Sequence, residues 1–455
     1  MNKEQTLGEG SVVKLIVALA IPAVISQVVN MLYNIVDRIY IGHIPETGVA
    51  ALTGLGLCYP IIMIVSAFSS LFGMGGAPRA AIAMGKNNNE EAEKILGNCV
   101  TALMISAIVL MSILLIFGEN LLYLFGASDN TIIYALDYLR IYAIGTMFVQ
   151  ITLGLNTFIT TQGFAKFSML TVVIGAVTNI ILDPIFIYGL NMGVKGAALA
   201  TTISQALSAI WVLKFLCGKK TKLKIQKKNM KLSPAIILPV MALGLSPFVM
   251  SSTESILNIC FNVSLQKYGG DLAVGAMTIL GSVMSLSFMP LTGITQGIQP
   301  IISFNYGARK FDRVKSAIKY EIAICTGFTT LVWVFLMIVP QVFISLFNND
   351  PTLLAYTIWS MRVYAAMLFV IGLQVACQQI FVALGYAKIS VFLACLRKII
   401  LLIPLIFILP NFFEDKVFAV FLAEPIADVL AATTTVITFI VLMRSLFREK
   451  SGATK

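Results

Sequence analysis

The sequence predicts an all-α integral membrane protein with twelve transmembrane helices in two pseudo-symmetric six-helix bundles. Three observations support this prediction: the composition is apolar, the apolar runs are long, and the two halves of the chain repeat. Hydrophobic residues fill 58% of the 455 positions and charged residues only 12%, whereas soluble domains carry about 25% charged residues. Many of the apolar runs reach the roughly 20 residues that a helix needs to span a bilayer, and they lack the period-two alternation of strands.

Twelve apolar segments, numbered here as predicted helices 1 to 12, follow one another along the chain. Those of the first half lie near 14–41, 51–82, 95–117, 132–160, 167–189 and 194–217. Those of the second half lie near 234–265, 272–304, 316–340, 353–383, 388–410 and 416–444. Four of the longest contain an internal proline, namely Pro22, Pro60, Pro290 and Pro425. Because proline kinks a helix, long helices of this kind are suited to line a cavity.

A basic stretch separates the two sets of helices. Lys214–Lys231 contains eight lysines and no acidic residue. We therefore predict an N-lobe at 1–217, a basic cytoplasmic linker at 218–233 and a C-lobe at 234–455. Since Lys and Arg accumulate in cytoplasmic loops, we expect a multi-pass protein of the cell membrane with both termini in the cytoplasm. The same rule explains the net charge of +11 without a nucleic-acid partner.

The two halves match each other at a constant spacing of 222 residues. Tyr138–Ala143 reads YLRIYA and Ser360–Ala365 reads SMRVYA, while Gly163–Lys166 reads GFAK and Gly385–Lys388 reads GYAK. Six helices per repeat is an even number, so both repeats cross the membrane in the same orientation. Parallel repeats of this kind hold a substrate between them and expose it alternately to each side by rocking.

Polar side chains at helical spacing predict a wet pocket in the N-lobe. A charge at the bilayer centre costs about 3 kcal/mol or more, so each buried acid indicates a functional position. The candidates lie on predicted helices 1, 5 and 6: Asn34, Asp37, Asn179, Asp183, Thr201 and Gln205. A structural alternative is that these groups only hydrogen-bond the helices to one another. Carboxylates withdrawn from water take up a proton more readily, and two neighbouring ones titrate as a unit.

The C-lobe carries a second set of polar side chains. Besides Asn34 and Gln205 of the N-lobe, we expect four of them to contact substrate: Glu254 and Asn258 on predicted helix 7, and Gln374 and Gln378 on predicted helix 10. Helix 12 carries Glu424 and Asp428 four residues apart, and helix 11 carries Arg397. For these three residues a structural ion pair is an alternative to a functional role.

Enzyme motifs are missing from the sequence. It contains no HExxH, GxSxG or GxxxxGK[ST] pattern and a single histidine, His43, which disfavours a metalloprotease, a histidine-assisted hydrolase and an ATP-driven pump. None of the seven cysteines forms a CxxC pair, so no disulfide framework or zinc site is predicted. We therefore expect no cofactor and no enzyme activity, but a secondary transporter driven by an ion gradient. An intramembrane enzyme is the remotest alternative.

Several longer stretches together resemble a known family. They are YNIVDRIYIG at 33–42, NIILDP at 179–184, GAALAT at 196–201, QGIQP at 296–300 and NYG at 305–307. On these stretches the chain resembles the multidrug and toxic compound extrusion (MATE) family over nearly its whole length. The resemblance implies twelve helices in two lobes and export of organic compounds by cation antiport.

The resemblance also assigns roles to individual residues. The family's acid of helix 1 matches Asp37, its Asn and Asp of helix 5 match Asn179 and Asp183, and its helix-6 threonine matches Thr201. Glu254 matches a glutamate found in one branch of the family. The acid that this branch carries in helix 10 is missing here, where 372–375 reads GLQV, which puts a sodium site of that kind in doubt.

The resemblance leaves the coupling ion open. Protons or sodium ions fit, with sodium bound by the oxygens of Asp37, Asn179, Asp183 and Thr201. The expected substrates are small organic cations and amphipathic drugs, carried by a monomer within the lipid bilayer. A flippase for lipid-linked sugars, from the same superfamily, is the alternative transporter.

Overall fold

The structure is a computed structural model that describes residues 7–45, 47–345, 347 and 350–451. The first six and last four positions of the two predicted lobes therefore lie outside the described residues. Within the described ranges the secondary structure consists of helices and their connections, with no strand. This confirms the predicted all-α class.

The first half contains six long helices. Their bounds are α1 (Val12–Gly42), α2 (Gly48–Gly85), α3 (Asn89–Leu124), α4 (Ile132–Thr161), α5 (Ala165–Pro184) and α6 (Val194–Leu216). A π-helical turn, Ile185–Gly189, extends α5. Five of these helices lie within a few residues of their predictions, because polar or glycine-containing turns interrupt the apolar runs at both ends. The exception is α3, which extends beyond the predicted 95–117 at both ends.

The second half begins with one continuous helical stretch, Pro234–Gly307, of 74 residues. Its backbone leaves the helical region at Gly270, where φ is 64° and ψ is −160°, a conformation that glycine adopts without strain. The break divides the stretch into α7 (234–269) and α8 (271–307). The prediction placed a longer loop between these two helices.

The remaining helices complete the second repeat. They are α9 (Phe311–Ile338), the bent pair α10 (Pro351–Tyr364 and Leu368–Ala383), α11 (Ala387–Asn411) and α12 (Lys416–Ser451). The two parts of α10 differ in direction by 49°, so the prediction of one continuous helix was wrong there. Within the described chain, the split of 234–307 at Gly270 and the bent α10 bring the apolar spans to twelve.

Among the described residues, buried apolar side chains form one core that both halves share and three clusters, one of them small, that belong to a single half. The shared core contains Leu71 and Leu96 of the first half together with Val240 and Ile301 of the second. Among the described residues, a second core is built from first-half residues alone and a third from second-half residues alone. The shared core lies toward the chain ends and the central segment 218–233, which we call the terminal side.

Glycines allow the halves to meet closely on the terminal side. A side chain at Gly85 would overlap the Phe304 carbonyl, and one at Gly307 would overlap the Ile82 carbonyl. Gly85 and Gly307 are equivalent positions of the two repeats, so the contact is reciprocal. On the other side of the membrane, which we call the opposite side, the two halves separate and leave a cleft between them.

Two chain segments on the terminal side tie each repeat to the other. The segment before α1 is bound by the second half: Arg313 donates to the carbonyls of Leu7 and Gly10, at 3.2 and 2.6 Å, and Asn305 donates to Leu7 at 2.9 Å. Lys310 donates to the Gly8 carbonyl at 2.7 Å. Since this segment leads into α1, it anchors the first half to α8 and α9.

The central segment 218–233 makes the reciprocal attachment. Gln162 Oε1 of the first half accepts hydrogen bonds from the Leu223 backbone N–H at 3.2 Å and from the Thr221 hydroxyl at 2.7 Å. Glu93 accepts from the Lys224 backbone N–H at 3.2 Å. The segment leads into α7, so it anchors the second half to α3 and α4. Leu223 is buried within this lysine-rich segment.

Candidate functional site

A buried polar cluster connects α1, α5 and α6 in the first half. Asp37, Asn179 and Asp183 are 7%, 1% and 0% exposed. Asn179 Nδ2 lies 3.3 Å from Asp183 Oδ1 and 3.3 Å from Thr201 Oγ1, donating to both. Each residue lies on the inner face of its helix, as the spacing in the sequence predicts. The four residues that were expected to bind a coupling ion thus form one cluster.

Asp37 and Asp183 lie close enough for their carboxyl groups to interact. Two neighbouring carboxylates in a buried site repel each other when both are ionised, so a proton on one of them stabilises the pair. Asp37 Oδ1, Asn179 Oδ1 and Asp183 Oδ2 are buried and accept no hydrogen bond. The cluster therefore has spare oxygen acceptors and a position for an exchangeable proton.

Tyrosines that sequence reasoning missed surround this cluster. Tyr138 lies close enough to Thr201 and Asp37 to interact with both, and it stacks on Tyr142 with ring centroids 6.1 Å apart. Tyr33 of α1 is close enough to Asp37 and Asp183 to interact with them. The i, i+4 spacing of Tyr138 and Tyr142 was a visible signal, but it lies within the stretch that was used only to establish the repeat.

The other two polar candidates of the first half are less closely associated with the cluster. Asn34 is exposed, and its amide donates to the Asn30 carbonyl of the preceding turn at 2.6 Å. Gln205 is half-buried on α6 with an unpaired Oε1, and its backbone carbonyl accepts from Thr152 at 3.2 Å.

A cavity of about 1140 Å³ lies between the two halves. It is lined by the opposite-side parts of α1, α2, α7 and α8 and by the middle of α10, α11 and α12. Glu254 and Asn258 line this cleft, as do Met277, Met284 and Met289. Methionine adapts its shape to varied ligands. The Asp37–Asp183 pair does not line the cleft, so the structure contains two separate polar sites.

The C-lobe wall of the cleft carries a network of five charged side chains. Arg397 donates through Nε to Asp428 Oδ1 at 2.8 Å and through Nη2 to Glu424 Oε1 at 2.9 Å. Arg397 thus joins Glu424 and Asp428 of α12, which is the structural alternative that the sequence left open. Lys398 pairs with Glu254 Oε1 and donates to the Met250 carbonyl at 2.8 Å. No pattern in the sequence indicated this second pair.

The two glutamines of α10 that were expected to contact substrate lie outside the cleft. Gln374 and Gln378 are 2% and 3% exposed and are not among the lining residues. Gln378 Nε2 lies 3.4 Å from Ser246 Oγ of α7. In this conformation they pack α10 against its neighbours and do not reach the cavity.

Two helical repeats with a cleft between them, open to one side of the membrane, define a transporter of the two-lobe class. The sequence model of the MatE family matches the chain twice, at residues 22–185 and 247–408. The chain belongs to this family, and the double match coincides with the internal repeat.

The similar proteins include several that are named as multidrug transporters. "Multidrug export protein MepA" from Staphylococcus haemolyticus is 24% identical over 425 residues, with 93% of each chain covered. A solved structure of the MATE multidrug transporter DinF-BH in complex with the dye rhodamine 6G is 33% identical, has a TM-score of 0.87 and covers 94% of this chain and 95% of its own. An "outward-facing conformation of a multidrug resistance MATE family transporter" has a TM-score of 0.91 at 24% identity, covering 98% and 99%.

Proposed function

We propose that this MATE transporter exports chemically varied organic compounds, most of them cations, across the cell membrane by antiport with protons or sodium ions. The observation that supports this most directly is the buried Asp37–Asp183 pair, since paired acids inside a transmembrane bundle mark an ion pathway. The relative that binds rhodamine 6G, a cationic dye, and the relative named as a multidrug export protein support the substrate class.

Coupling is proposed to occur in the N-lobe cluster. When the cluster faces the side with more protons, the Asp37–Asp183 pair takes up a proton. When the cluster faces the other side, the pair releases that proton. Sodium is the alternative ion, because carboxylate, amide and hydroxyl oxygens suit a hard cation, and Asp37, Asn179, Asp183 and Thr201 offer all three. Ion and substrate must favour different conformations, because coupling arises only from differential affinity.

Substrate is proposed to bind in the cleft, against the C-lobe wall. Glu254 and Asn258 face the cavity, and the carboxylate offsets the cost of removing water from a cation. Substrate contact by the other polar candidates stays a prediction, to be tested in a conformation that opens to the terminal side. These candidates are Asn34, Gln205, Gln374 and Gln378.

The terminal side is proposed to be cytoplasmic, with the protein acting as a monomer. The lysine-rich segment 218–233 supports this orientation through the positive-inside rule. Cysteines placed at Lys219 and Lys228 on a cysteine-free background are expected to react with an impermeant maleimide only after the cells are opened. Labelling of these cysteines from outside intact cells would show that the terminal side faces outward.

Transport by the purified protein tests the function. In proteoliposomes, movement of rhodamine 6G is expected to follow an imposed proton or sodium gradient and to stop when the gradient is collapsed. If dye movement does not depend on either gradient and the protein flips a labelled lipid-linked sugar, the protein is a flippase and not an exporter.

A further inference from the structure

We propose that Lys398 acts as a built-in competitor for cationic substrates at Glu254, and that this pair sets which cations the cleft accepts. This inference rests on the proposed export of cations and adds to it a residue that determines specificity. Both residues line the cavity, but they occupy unequal positions, since Glu254 is exposed to it and Lys398 is almost fully buried in its wall.

Glu254 and Lys398 differ strongly in exposure. The Glu254 side chain is 59% exposed, whereas that of Lys398 is 5% exposed. Lys398 Nζ is held by the Met250 carbonyl one turn before Glu254, at 2.8 Å. The ammonium group therefore reaches the carboxylate from inside the lobe, and the face of Glu254 that a substrate meets is open to the cleft.

Arg397 and Lys398 lie next to each other in a π-helical segment and contact different helices. Leu396–Leu402 of α11 is π-helical, and such wider turns are frequent at functional sites. In an α-helix, consecutive residues point about 100° apart. Here Arg397 contacts the acids of α12 while Lys398 contacts α7, so two adjacent cations serve two different neighbouring helices.

Within the charge network, Lys398 is the cation that neutralises Glu254. Arg397 is already paired with two acids, Glu424 and Asp428. With all five groups ionised, the network carries two positive and three negative charges. A substrate cation at Glu254 meets a carboxylate that an ammonium already neutralises, and it must share or displace that ammonium. Neutralising Lys398 is expected to tighten cation binding roughly tenfold, the scale of one charge interaction at a partly hydrated site.

The test is the dissociation constant of rhodamine 6G for purified protein in lipid nanodiscs, measured by fluorescence polarisation. Lys398→Gln is expected to lower the Kd roughly tenfold, while Lys398→Arg, which keeps the charge, leaves it near the wild-type value. Lys195→Gln is the matched control, because it removes a lysine from an ion pair with Asp137 outside the cleft. A wild-type or higher Kd in folded Lys398→Gln would overturn the inference.

A second comparison, between Glu254→Gln and a double variant in which both residues are neutral, tests the inference even if Lys398→Gln does not fold. In Glu254→Gln the Lys398 charge stays and repels the cationic dye, whereas Glu254→Gln/Lys398→Gln removes it. The double variant is expected to bind rhodamine 6G several times more tightly than Glu254→Gln, and equal binding would overturn the inference. If the wild type itself binds no dye, the proposed cation export and this inference fail together. If the wild type binds the dye and the variants have the wild-type Kd, only this inference is rejected.

Discussion

At the scale of single residues, the cluster around Asp37 was predictable and the charge network around Glu254 was only partly so. Asp37, Asn179 and Asp183 are recognisable because acids and amides are rare in spans this apolar, and the spacing places them on inner faces. Lys398 follows Arg397 directly, and a regular helix would direct the two side chains to different faces. Both residues nevertheless belong to the network, because Arg397 contacts α12 and Lys398 contacts α7, and no sequence pattern indicates which helix Lys398 reaches.

Arg397 provides a prediction at this scale. Replacement of a buried ion-pair partner leaves uncompensated charge and typically costs about 3–5 kcal/mol. Arg397→Met, which strands Glu424 and Asp428, is therefore expected to lower the unfolding temperature and the yield of folded protein. The triple variant Arg397→Met/Glu424→Gln/Asp428→Asn removes the stranded charges and is expected to recover most of the loss. Thermal unfolding in detergent checks both, and an unchanged melting temperature in Arg397→Met would exclude a structural role.

At the scale of helices, the bounds were predicted well and the breaks were not. Turns interrupt the apolar runs clearly, so the helices of the first half except α3 begin and end close to the predicted positions. The bend of α10 falls at 365–367, which reads AAM. Neither proline nor glycine marks it, so the prediction was one continuous helix. The close approach of α2 to α8 was not predictable either, because a glycine can occur in a membrane helix for reasons other than a close helix contact.

The contact of α2 with α8 provides a second prediction. A Cβ at Gly85 overlaps the Phe304 carbonyl, so Gly85→Ala is expected to separate the halves on the terminal side. Spin labels placed across that side, measured by double electron–electron resonance, should show longer distances than in the wild type. Gly327→Ala is the matched control, because nothing lies within 4 Å of a Cβ there and alanine favours a helix by up to about 1 kcal/mol. Wild-type distances in Gly85→Ala would contradict the contact.

At the scale of the whole molecule, the structure is closed on the terminal side and open on the opposite side. The shared core, the reciprocal glycines and the two anchored segments all hold the halves together at one end. The repeat predicted two lobes around a central cavity, but the conformational state was not predictable, since one sequence encodes every state of the cycle. The anchoring of 218–233 was also unexpected, because a lysine-rich loop resembles a solvated linker.

The anchored central segment provides a third prediction. The Leu223 amide, bound to Gln162, and the Lys224 amide, bound to Glu93, are expected to exchange hydrogen slowly despite the surrounding lysines. Gln162→Ala removes the acceptor and should make peptides covering 218–226 exchange faster. Hydrogen–deuterium exchange with mass spectrometry measures this, with peptides of α4 as the internal reference. Fast exchange of the segment in the wild type would show that it is not anchored.

The central claim is that Asp37 and Asp183 together couple an ion gradient to export. The most direct test uses Asp37→Asn and Asp183→Asn in proteoliposomes with an imposed proton gradient, then a sodium gradient, following rhodamine 6G transport and, separately, its binding. Both variants are expected to fold, to bind the dye with a Kd near that of the wild type, and to lose gradient-driven transport, because an amide cannot exchange a proton. Gradient-driven transport at the wild-type rate in both variants would contradict the account and place coupling elsewhere, with Glu254 the next residue to test.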